Sequence, residues 1–209
     1  MNRDEIDLLK MLAGDVQWAL DHLAQSDTQT ARRNLIRCLV SAAEGMSWTY
    51  RMNIMSMARH FDEANPLIEM AFAEASYAVT ENGVIVEQAR HISLTAMIRL
   101  TTRVAQTFCP EVKVDFGVAG WSALKKAISV RNRITHPKQP EDLLLSDDEI
   151  EAAKAGFFWF SDMAMGVMEA AIKTFAADVR LAKDLIEKYK SGDPDTLALF
   201  KRAHQGLDD

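Results

Sequence analysis

Apolar residues recur along most of this chain at the three- and four-residue steps of a helix, and that spacing governs its reading. Between residues 2 and 24 the stripe is Ile6, Leu9, Ala13, Val16, Leu20 and Leu23. Gln25, Ser26 and Asp27 interrupt it, and Ser26 or Asp27 can cap the helix that follows. That second helix is predicted over 28–61 and carries two stripes. One holds Ile36, Val40, Ala43, Ser47, Tyr50, Ile54, Met57 and Phe61, the other Leu35, Leu39, Ala42 and Met46. A helix that is apolar on two faces is packed on both, as a central bundle helix or a dimer-forming helix is. Gly45 within it allows a close helix approach or a small bend, at roughly 1 kcal/mol relative to alanine.

Asn65-Pro66 starts a third helix, because asparagine caps and proline fits the first turn. It is expected to end near residue 75. Asn82-Gly83 between β-prone flanks then signals a hairpin over 77–87. Two strands alone are marginal, so this hairpin has to lean on the helices. A fourth helix is expected over 91–108 and a fifth over 121–135, the latter turning Trp121, Leu124, Ile128 and Ile134 to the core. After a loop over 137–145, Ser146 and Glu149 form a capping box. It opens a helix reaching about residue 190, with Ile150, Ala153, Phe157, Phe160, Ala164, Val167, Ala171 and Phe175 at helical spacing. A short helix over 195–205 follows. The pattern thus predicts an all-α protein, an up-and-down helical bundle with a small inserted β-hairpin. It is read as one domain over 1–209, with its core at about 28–190 and short flanking helices.

Composition narrows the chemistry. At 48% hydrophobic residues the chain can bury a sizeable core, which excludes disorder. The net charge of −6 removes any overall electrostatic footprint for nucleic acid. A local one remains: between Phe116 and Gln139 lie Lys125, Lys126, Arg131, Arg133 and Lys138, and no Asp or Glu. It reads either as a binding patch or as a solvated face. Cys38 and Cys109 have neither metal spacing nor a disulfide framework, which suits a reducing, cytoplasmic setting. The charged start lacks an apolar signal core. The longest apolar run, 155–172, is broken by Asp162 and Glu169 and reads as a buried helix, not a membrane span. His22, His60, His91 and His204 show no ligand spacing, and Asp147, Asp148 and Glu149 are explained by helix capping. No cofactor or metal is expected.

The remaining stretch is Arg131-Asn132-Arg133-Ile134-Thr135-His136-Pro137-Lys138. The residue before proline is disfavoured in the α conformation, so His136 belongs at a helix exit, off the regular path. Asn132 and His136, four apart, share a face. Arg131 and His136, five apart, differ by about 140° around an ideal helix. They converge only if the helix ends at His136 or a second copy completes the site. An arginine fork and an imidazole suit phosphate chemistry. They also suit a plain helix C-terminus, where the dipole favours solvated cations.

This run, with Gly120-Trp121 before it and Leu143-Leu144-Leu145-Ser146-Asp147-Asp148-Glu149 after it, resembles the signature of the HEPN superfamily over roughly 32–171. The resemblance implies an α-helical bundle that dimerises and, in active members, a metal-independent endoribonuclease, often a toxin or defence effector. Other members are non-catalytic modules binding RNA, nucleotide or protein. Residue by residue it implies that Arg131 stabilises charge on phosphoryl oxygens, that Asn132 orients the imidazole or binds phosphate, and that His136 moves protons. Arg133, Lys138, Lys125 and Lys126 would contact substrate. Glu44 corresponds to an acid found in some relatives, though it also reads as an ordinary solvent-facing residue. The implied partners are RNA, a second copy of the chain, and an antitoxin or other protein.

Overall fold

The computed structural model describes residues 3–205, except for the side chain of His204, so that histidine lies outside the described residues. In chain order the elements are α1 (Arg3–Gln25), α2 (Gln29–His60), α3 (Pro66–Phe72), β1 (Ala75–Val79), β2 (Ile85–Ala89), α4 (Leu94–Phe108), α5 (Ala119–Thr135), a 3₁₀ turn (Pro140–Leu143), α6 (Asp147–Lys190) and α7 (Pro194–Gln205). Mostly helical with one inserted two-stranded hairpin, this is the architecture that the periodicity predicts.

The doubly striped α2 is the central helix, touching α1, α4, α5 and α6. Leu35, Ile36, Leu39, Val40, Ala42, Ala43, Tyr50 and Ile54 are all buried on it. Its cap is Thr28, whose Oγ1 accepts the Ala31 N–H, so the expected cap at Ser26 or Asp27 is corrected by one or two residues. Asp27 is drawn off by Arg32, which donates to both carboxylate oxygens at 2.5 and 2.6 Å. Tyr50 meets Thr102 of α4 at 3.0 Å between hydroxyls, and burial pushes its phenol well above the usual range.

Two close approaches set the bundle's spacing. A Cβ built on Gly45 would stand 2.6 Å from Leu12 Cδ1 of α1. One built on Gly156 of α6 would stand 2.5 Å from Leu124 Cα and 2.7 Å from the Ala123 carbonyl carbon of α5. The α6 stripe is buried as predicted from Ile150 through Ala171, and its capping box forms: Ser146 accepts from Glu149 N–H and Glu149 accepts from Ser146 N–H. The α1 stripe packs as predicted at Val16, Leu20 and Leu23, joined by Leu12 and Ala19, whereas Ile6 and Ala13 are exposed and Leu9 is only half-buried. Leu9, Leu12, Ala13, Val16 and Leu20 border an apolar cavity of about 430 Å³ shared with Phe158 and Met165 of α6.

The hairpin pairs Ala75 with Ala89 through Val79 with Ile85, two residues earlier at its start than predicted. It leans less than expected, since β2 is exposed along its whole length. Among the described residues no helix is long and apolar enough to cross a membrane.

Candidate functional site

The helix bearing the sequence motif ends where proline dictates. Thr135 is the last helical residue and His136 is the cap, at φ −124° and ψ 60°, with its N–H bonded to Asn132 O at 3.0 Å. The final turn of a helix leaves carbonyls without intrahelical donors. Here Arg37 of α2 donates to Ile134 O at 3.1 Å, and Thr135 Oγ1 donates to Arg131 O at 2.7 Å. The imidazole of His136 stands exposed at the exit, as does the side chain of Asn132.

Arg131 points the other way round the helix, into the seam with α2, and forms an ion pair with Glu44, 87 residues distant in sequence. Its side chain is 26% exposed and that of Glu44 47%, so the pair is reachable from solvent. A guanidinium stays charged at any physiological pH, and a carboxylate partner fixes the direction of its fork. The structure therefore brings Arg131 and Glu44 together and leaves His136 at the end of the same helix, where Arg37 holds the Ile134 carbonyl.

The other expected site residues divide. Arg133 ion-pairs with Glu149 at 3.0 Å and donates to Leu144 O at 3.2 Å. Lys126 reaches Asp148 O at 3.5 Å, while Lys125 and Lys138 are exposed. The sequence-local basic run is thus partly neutralised in space, because Glu44 and Glu149 arrive from distant segments. Of the acids considered for metal binding, Asp147 meets Arg32 at 2.6 Å and Glu149 closes the capping box. Among the described residues no three His, Cys, Asp or Glu gather as a metal site. His60 meets Asp178 at 2.8 Å, and His22 stacks on Trp18.

Glu44, named from the sequence, is joined by residues that the sequence did not single out. Arg37, Ser41, Glu44 and Trp48 follow one another at helical spacing along an exposed line of α2. Trp48, 44% exposed, belongs to neither apolar stripe, and a tryptophan at a polar position was the available signal. It lines a cavity of about 310 Å³ together with Glu44, Ser47, Arg51, Glu74 and His91. Arg51 donates to Glu74 Oε2 at 3.1 Å. Burial raises the Glu74 carboxyl, but the Ile92 N–H and Arg51 outweigh it and hold the group below its ordinary value. Chemically the region offers a carboxylate-held guanidinium, an exposed imidazole and a flanking cavity with an aromatic wall.

No family model matches the chain, and no curated protein or solved structure matches it either.

Proposed function

We propose that the chain is a metal-independent endoribonuclease of the HEPN type, working as a homodimer and suited to a toxin or defence role. The observation that carries this reading is the ion pair between Arg131 and Glu44, which aims the motif arginine into a solvent-reachable seam beside the helix exit that carries His136. A ribose 2′-oxygen attacks the adjacent phosphorus as the bond from phosphorus to the 5′-oxygen breaks. His136 takes the 2′-hydroxyl proton or delivers one to the departing 5′-oxygen, leaving a 2′,3′-cyclic phosphate and a 5′-hydroxyl. Arg131 faces the phosphoryl oxygens as charge builds on them, the preorganised electrostatics that dominate many active sites. Asn132, one turn below His136, orients the ring. A twofold axis near the α5 exits would bring the arginine of one protomer to the histidine of its partner, which answers the angle of about 140° between them on one helix.

The test is cleavage of structured and single-stranded RNAs in EDTA by the wild type, His136→Ala and Arg131→Ala. Loss of the proton-transfer group is expected to slow cleavage by about 10²–10⁴-fold. A folded, dimeric wild type inert on all of these RNAs would refute the assignment, as would a fully active His136→Ala.

A second reading, a non-catalytic module that binds RNA, nucleotide or a protein partner in the same groove, is favoured by the neutralisation of Arg131 and Arg133 by acids and by the net charge of −6. Phosphate affinity rests on unpaired cations. Overexpression separates the two: growth arrest relieved by His136→Ala belongs to the nuclease, harmless accumulation to the module.

A further inference from the structure

We propose that the cavity beside Glu44 is a subsite for one unpaired base of single-stranded RNA, with Trp48 as its stacking platform. The inference rests on the reading that this groove takes RNA, and it adds where the strand is gripped. Glu44 belongs to both places: it pairs with Arg131 and it lines the cavity. A nucleotide whose phosphate lies at Arg131 therefore has its neighbouring base at the cavity mouth.

The lining selects a base over a phosphate. Two carboxylates, Glu44 and Glu74, border the space, and the guanidinium of Arg51 is already paired with Glu74. A phosphate would meet repulsion there, whereas an uncharged ring does not. The carboxylates accept from ring N–H or exocyclic amino groups. Trp48 supplies an exposed indole that the core does not consume. At about 310 Å³ the space is at the small end of ligand pockets, which run from about 300 to 1,000 Å³. Bases stack on aromatic side chains in single-strand binders with little dependence on sequence.

The experiment measures binding of fluorescein-labelled 2′-O-methyl RNA oligonucleotides, which lack the attacking hydroxyl, by anisotropy with full-length protein. Trp48→Ala is expected to raise the Kd by roughly 5- to 100-fold, as loss of one stacked base does. Trp48→Phe should recover much of the affinity, and Trp18→Ala, at the exposed tryptophan of α1, should change nothing. Helix content by circular dichroism establishes that each variant is folded. Equal binding by wild type and Trp48→Ala overturns the subsite, and so does a wild type that binds no oligonucleotide. Trp48-dependent binding without any cleavage of unmodified RNA would keep the subsite and reject the nuclease. Cleavage with binding indifferent to Trp48 would do the reverse.

Discussion

The loop over residues 136–146 and the hairpin over 75–89 make opposite use of hydrogen bonds. The loop has almost no regular structure, yet distant side chains seize its backbone. Arg33 holds Leu143 O at 3.0 Å, Arg133 holds Leu144 O at 3.2 Å, and Arg32 and Gln29 share Leu145 O at 2.9 and 3.1 Å. Gln29 also accepts from Leu145 N–H at 2.8 Å, and Asp142 accepts from the N–H groups of Lys138 and Gln139. The hairpin has a complete antiparallel ladder, yet all of β2 is exposed, and Tyr77, Val79, Val84 and Ile85 face solvent. Its attachment is concentrated at Glu74, whose carbonyl accepts from Arg90 N–H at 2.6 Å and whose carboxylate accepts from Ile92 N–H at 3.1 Å. Regularity and tertiary hold are therefore separate properties. The segment that continues from the motif is the irregular one, and it is the better anchored.

The sharpest way to break the contrast is Gln29→Leu. It strips two bonds from the backbone of Leu145, which is only 3% exposed, and is expected to cost about 1–3 kcal/mol in urea unfolding. A smaller effect is expected from replacing residues 76–88 with a short Gly-Ser linker. Global stability should fall by less than about 1 kcal/mol with helix content retained, since little apolar surface is buried there. Acid should loosen the hairpin base before the bundle. The Glu74 carboxyl is depressed below its ordinary 4.5, so its contribution is complete above that pH and disappears as pH falls through the lower folded value. Amide exchange at Arg90 and Ile92, adjusted for intrinsic rates, should therefore accelerate below pH 4.5, and Glu74→Gln should remove that dependence. The smallest effect belongs to Gly83→Ala, at φ +75° in the turn. It should speed exchange across β2 and leave the melting temperature unmoved, because the hairpin opens locally.

Much of the bundle was legible because helical burial leaves a period in the sequence. The stripes of α2 and α6 and the Ser146–Glu149 box are local patterns with local causes. What stayed hidden depends on long-range partners. The Thr28 cap competes with Ser26 and Asp27, and the choice is made by Arg32 pulling on Asp27. In the first half of α1 it is Leu12, seated against Gly45, that packs in place of Ala13. Near the motif, Pro137 foretold the exit at His136, but nothing adjacent to Arg131 could announce that its carboxylate comes from α2. The run of cations around Arg131 and Arg133 looked more basic on paper than it is in space, for the same reason.

The missing side chain at Gly156 decides which wall of the candidate groove can move. With bare backbone of α6 against Ala123 and Leu124, α5 is seated without any cushion of flexible atoms. Sliding α5 by one residue, about 1.5 Å, would drive side-chain carbons into that contact. The wall bearing Arg131 is thus an anvil, and whatever give the seam has lies in the rotamers of Glu44 and Trp48 opposite.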